Sequence, residues 1–238
     1  MKNDIIIIDA SNEYAFHLDK LIERSKNEIF TWFNKPNEDC KVKIFLYKDL
    51  NHLVSGLKAR GFKDYPDYMC ACMIDEDCQN NISRSINLFD PTTSLSTFTK
   101  KEYDYIVYHE LIHYITNYLF GSLPEWLTEG IAKYLDNSYK EDLTNLMSII
   151  NNYKIPSLAV MYGNNFVKKI NNQIIYDGYD LSYLLIRYLL TIYDKNKFIS
   201  LLENKNISNA YFDRLLKEAI NYFNSVYSKE NTIKKSKI

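Results

Sequence analysis

Apolar residues recur along this chain with two different periods, and the change between them divides it. Over 13–33, Phe16, Leu18, Leu21, Ile22, Ile29 and Phe33 fall close to the helical repeat, which predicts an amphipathic helix ended by Pro36. Residues 42–47 alternate apolar positions with flanking Lys41 and Lys43 and predict a short strand. A short helix over 50–60 stops at Gly61. Two further strands are expected at 68–74 and 83–89, with the polar 75–81 stretch as the loop joining them and Asp90-Pro91 closing the sheet.

From Ser94 onward the period is helical almost throughout. Thr99-Lys100-Lys101-Glu102 has the form of a capping box, and the helix it opens runs to Phe120 before Gly121. That helix is apolar on nearly every side, which predicts a central, buried position. Pro124 suits the N1 position of a helix from Glu125 to about Asp136. Further helices are expected at 140–151, 179–193, 195–202 and 211–227. These elements read as an α+β fold and one domain over 1–238. Within it, 1–93 is an α/β sheet lobe, 94–228 a mainly helical lobe, and 229–238 a basic tail with Lys234, Lys235 and Lys237.

Composition narrows the function. The chain has 238 residues, 29 Lys+Arg against 30 Asp+Glu and a net charge of −1, so no clustered positive field marks nucleic acid as a partner. No stretch reaches the ~18 apolar residues of a membrane span. The Ile5–Ile8 run closed by Asp9 is too short and too acidic for a secretory leader. The expectation is a cytoplasmic protein, or a secreted one if the sequence is a trimmed mature form. Cys40, Cys70, Cys72 and Cys78 lack zinc-finger or thioredoxin spacing and read as reduced thiols, with a Cys78 bridge open to an exported protein.

The chemistry concentrates in the apolar helix. His109-Glu110-Leu111-Ile112-His113 is H-E-x-x-H. Histidines at i and i+4 lie ~40° apart around a helix and one turn along it, so both imidazoles can meet one ion. Glu110 sits beside the first of them, placed to take a proton from a metal-bound water. Only 4 histidines occur in the chain, and burying two among Ile, Val, Leu, Tyr and Phe is costly unless a cation compensates them. A catalytic zinc takes three protein ligands and leaves one position for water. The segment from Pro124 to Ala132 offers two candidates for the third, Glu125 and Glu129, again at i and i+4. Gly130 and Ala132 are small enough to let this helix approach a neighbour closely.

H-E-L-I-H followed by P-E-W-L-T-E-G-I-A-K-Y resembles the gluzincin metallopeptidases, specifically the peptidase-MA-like group, with a W-L-x-E-G-x-A segment also similar to aminopeptidase N relatives. The match is strong over 109–134 and weak on either side. The resemblance implies a zincin-like fold with the H-E-x-x-H helix between the two lobes, and one Zn2+ per chain held by His109, His113 and Glu129. It also implies a peptide or protein substrate, with Glu110 as general base for a zinc-activated water and then as proton donor to the leaving amine.

The oxyanion donor is assigned by the same resemblance. No histidine follows the motif, since His17 and His52 both precede it, so a tyrosine from a later helix is implied. Tyr179 is favoured over Tyr176 and Tyr183. There is no G-x-M-E-N segment, and so less support for exopeptidase action. Lys133 stands where thermolysin-like proteins carry an acid four residues after the ligand glutamate. Asp136, Asp104 and backbone carbonyls are candidates to orient the imidazoles. In zincins the edge strand often pairs with substrate backbone, and 83–89 is the expected edge. Three alternatives stand beside the peptidase: a zincin-fold metal-binding protein with a regulatory role, a hydrolase of another amide, and a metal-free helical interaction module.

Overall fold

The computed structural model describes residues 3–37, 40–62, 71–78, 81–93, 97–137, 143–204 and 208–235. The fold is α+β, and the chain divides into two compact units, Met1–Gly121 and Ser122–Ile238. Among the described residues no helix is long and apolar enough to cross a membrane.

In the first unit the elements are β1 (Asp4–Ile8), α1 (Asn12–Trp32), β2 (Lys43–Tyr47), α2 (Leu50–Ala59), β3 (Ala71–Cys78), β4 (Asn81–Phe89) and α3 (Lys100–Phe120). The sheet order is β1-β2-β4-β3; β1, β2 and β4 are parallel and β3 is antiparallel to β4. Ile44 lies opposite Ile86 and Leu46 opposite Leu88, and all four are fully buried. β4 is buried without a break from Ser85 to Phe89, with Ile86 and Leu88 on one face and Ser85 and Asn87 on the other, so a one-residue slip would exchange apolar for polar partners. The unit includes α3, which the sequence pattern grouped with the helices that follow.

Three features differ from the sequence expectations. The Ile5–Ile8 run, weighed only as a leader, is β1, an edge strand with Ile6 and Ile7 about 40% exposed. The polar 75–81 stretch is strand where it is described: β3 runs on to Cys78 and β4 starts at Asn81, with Asp75 opposite Arg84 and Glu76 opposite Ser83. The ladder there is built from backbone groups, which pair whatever the side chains, so hydrophobic patterning carries no signal for it. The 83–89 strand is not an edge. Paired with β2 on one side and β3 on the other, β4 is internal, and β3 takes the edge position.

The ends of α3 follow its sequence signals. Thr99 Oγ1 accepts from the Glu102 N–H at 3.2 Å, while the Thr99 N–H donates to Glu102 Oε2 at 2.8 Å, a complete capping box. Gly121 leaves the helix at φ 71°, a backbone region disfavoured for side-chain-bearing residues. Residues 111–116 are buried without a break, more than one full turn, so the helix is enclosed on every side there. The buried Tyr103 hydroxyl accepts from the Phe89 N–H at 2.9 Å and ties the first turns of α3 to the end of β4.

The second unit contains α4 (Glu125–Leu135), α5 (Leu143–Ile150), β5 (Val167–Ile170), β6 (Gln173–Asp177), α6 (Gly178–Ile192), α7 (Lys195–Asn204) and α8 (Asn209–Lys235). Pro124 is the N-cap of α4, one position before the N1 expected. The β5–β6 hairpin interrupts the helical reading. Its turn is made by Asn171 and Asn172, both at positive φ (50° and 63°), without the Gly that makes such turns conspicuous. Residues 140–142, the start of an expected helix, lie outside the described residues, as do Lys237 and the side chains of Lys234 and Lys235 in the tail.

Gly130 sets the contact of α4 with α6. A Cβ there would meet Ser182 O at 2.7 Å and Ile186 Cγ1 at 2.6 Å, so only glycine permits the approach. Trp126, also on α4, is buried against Phe212 and donates from Nε1 to Asn209 Oδ1 at 3.3 Å.

In the first unit the buried Asp90 carboxylate accepts from the Ser11 N–H (3.0 Å), the Thr92 N–H (2.9 Å) and the Thr92 hydroxyl (2.6 Å), joining the end of the sheet to the start of α1. Burial pushes its pKa up, but the hydrogen bonds from Thr92 and Ser11 outweigh it and hold the carboxyl below its usual range. Asp90→Ala should therefore destabilise the protein by about 2–4 kcal/mol, read as a lower urea midpoint. The contribution is complete above the ordinary carboxyl pKa and disappears as pH falls through the lowered folded value. The gap between wild type and variant should accordingly narrow in acid.

Candidate metal centre

The H-E-x-x-H turn lies in the enclosed stretch of α3 and the turn just before it. His113 is buried at 8% exposure and His109 is half-buried. Their Nε2 atoms approach to 3.1 Å, with the ring planes 77° apart. Helix geometry accounts for this: side chains four residues apart stack on one face, and the packed surroundings restrict their rotamers.

Glu110 is half-buried on the same turn. Its carboxylate is felt by Cys72 on β3. Burial first, and then the Glu110 charge, push that thiol up to about 12 against the opposing Arg60 guanidinium. Burial likewise raises Cys40 to about 11. Both are free cysteines, and neither belongs to the group formed by His109, His113 and Glu129. Cys70 and the Cys78 side chain lie outside the described residues.

The two glutamates on α4 separate cleanly. Glu125 Oε2 accepts from the Gly163 N–H at 2.8 Å. One ligand atom each from His109, His113 and Glu129 lies within 4.8 Å of the others, a group that could hold a metal ion. It is the one such group of three among the described residues. Two neutral nitrogens and a carboxylate oxygen are a donor set zinc accepts. Zinc–nitrogen bonds of ~2.0–2.1 Å at tetrahedral angles put two ligand atoms roughly 3.3 Å apart, close to the imidazole separation found here.

The three candidate tyrosines differ in what holds them. The Tyr176 hydroxyl donates to Asn165 O at 2.8 Å. The Tyr183 hydroxyl is buried and accepts from Arg187 Nη1 at 2.9 Å. Tyr179 is half-exposed in the first turn of α6. Its N–H donates to Asp177 Oδ1 at 2.8 Å, Phe166 meets its ring nearly edge-on at 4.8 Å, and Lys133 Nζ lies over the ring 5.5 Å from its centre.

Asp104, a candidate to orient the imidazoles, is engaged elsewhere. His17 Nε2 donates to it at 2.9 Å, which ties α1 to α3. The sequence reading did not anticipate that pairing, because nothing in the spacing of residues 17 and 104 marks them as neighbours. It also gave Asp177 no role, although an Asp just before a helical run is a legible N-cap signal.

No family model matches the chain, and no curated protein matches it in sequence.

With this donor set, wild-type protein dialysed against zinc should retain one equivalent by elemental analysis. His113→Ala and Glu129→Gln should each lose it, and Glu125→Gln should keep it.

Proposed function

We propose that this chain is a zinc-dependent peptidase of the gluzincin type with a zincin-like fold. The observation that carries the reading is the convergence of the His109 and His113 Nε2 atoms at 3.1 Å on a turn that also carries Glu110. The grouping of Glu129 with both histidines supports it as the third ligand. A bound zinc supplies Lewis acidity and a water acidic enough to be deprotonated near neutral pH.

The chain's own residues then have definable tasks. Glu110, next to a ligand and not grouped with the ligand atoms, accepts the proton of the attacking water at its carboxylate. It returns that proton to the nitrogen of the departing amine. The Tyr179 phenol donates a hydrogen bond to the oxyanion of the tetrahedral intermediate. The Tyr176 hydroxyl donates its proton to Asn165 O, and Tyr183 is buried. Substrate backbone would add to β3, which occupies the sheet edge among the described residues and packs against α3. A protein that merely bound the metal would have no use for a carboxylate base in this position.

The test pairs zinc content with cleavage of an unfolded protein. Glu110→Gln should keep its zinc and lose about 10²–10⁴-fold in turnover, the usual range for a general base. Equal turnover in the variant and the wild type would remove Glu110 from the chemistry. Tyr179→Phe should lower kcat by about 10²–10³-fold with little change in KM. Tyr176→Phe and Tyr183→Phe should lower stability more than kcat.

A further inference from the structure

The α4–α6 contact does more than pack two helices. Its closest point is Gly130 against Ser182. One turn further along α4 is Lys133, and one turn back along α6 is Tyr179. Two antiparallel helices that touch at 130 and 182 must bring 133 and 179 together, and the Lys133 ammonium indeed lies over the Tyr179 ring at 5.5 Å. Glu129 immediately precedes Gly130, so a single close approach sets the heights of both the carboxylate and the phenol.

Three groups hold Tyr179. Asp177 caps its N–H, Phe166 blocks one ring edge, and Lys133 covers a face. The Phe166 carbonyl is itself held by the Gly178 N–H at 2.8 Å. Lys133 also stabilises the Asp177 carboxylate, whose pKa is raised by burial and by the neighbouring Asp180. One ammonium thus serves both the cap that starts α6 and the ring that follows it.

We infer that Lys133 is a positioning residue that holds the Tyr179 phenol in place and places a positive charge beside it while it donates to the oxyanion. This rests on the peptidase reading above. The charge matters as well as the packing: a cation near a phenol strengthens its hydroxyl as a donor, and most so when negative charge develops opposite it. An acid at 133 would pull the other way.

The experiment uses the full chain with zinc bound. Lys133→Met keeps the length of the side chain without its charge, Lys133→Arg keeps the charge, and Lys168→Met removes an exposed cation from β5 as a control. Lys133→Met should lower kcat about tenfold, the factor corresponding to a cation–π contact of ordinary strength, with KM and zinc content unchanged. Lys133→Arg should recover most of the loss, and Lys168→Met should show none. In a Tyr179→Phe background Lys133→Met should cost nothing further. Equal losses in both backgrounds would overturn the assignment.

A second readout needs no turnover. With 3-fluorotyrosine placed at 179, the fluorine resonance should move in Lys133→Met and return in Lys133→Arg. A resonance that stays put removes the link between Lys133 and Tyr179 whatever the kinetics. A wild-type protein that cleaves nothing while the resonance moves would instead sink the peptidase reading and leave the contact standing.

Discussion

Two imidazoles at the start of the stretch of α3 that is buried on all sides set the terms for the first unit. Polar groups in such surroundings are costly unless something satisfies them. Here the two rings satisfy part of that need with each other, Nε2 to Nε2 at 3.1 Å, and a divalent cation would satisfy the rest. The arrangement holds only if the helix cannot rotate or slide. Its capping box, the Tyr103–Phe89 bond and the His17–Asp104 pair anchor it at the N-terminal end, and six consecutive buried residues, from Leu111 in the motif to Thr116, anchor it further along.

In the second unit the corresponding constraint is the absence of a side chain at 130. Glycine inside a helix costs ~1 kcal/mol relative to Ala, and here the close approach of α4 to α6 accounts for its presence. The consequence runs along both helices. Glu129, Lys133 and Tyr179 take their places from one contact, and Asp177 and Phe166 complete the setting from the β6 and β5 ends. The β5–β6 hairpin is thereby part of what positions the first turn of α6 rather than a surface decoration.

Much of the fold could be read from the chain where two signals agreed. For α3, the capping box, the apolar run and Gly121 all pointed to the same boundaries, and the structure has them within one residue. Helix α1 and strand β2 were equally legible from period alone. The misreadings share a cause. The polar ends of β3 and β4 are held by backbone pairing and lack the alternation that advertises a strand, and the four-isoleucine run of β1 and the Asn171-Asn172 turn lack it too, although isoleucine favours strands and asparagine favours turns.

The amino-acid sequence by itself determined the donor types and their helical spacing. His109, Glu110 and His113 share a turn because 3.6 residues complete one, and Glu125 and Glu129 share a face for the same reason. Only the tertiary structure decided what holds Glu125, which strand is the edge, and which tyrosine is held beside a lysine. Each of those answers depends on residues far apart in the chain: Gly163 claims Glu125, β3 covers β4, and Ser182 draws Gly130 close enough to bring Lys133 over Tyr179. Local periodicity contains no information about such meetings, because they are settled by which packing of the whole unit leaves the fewest buried groups unsatisfied.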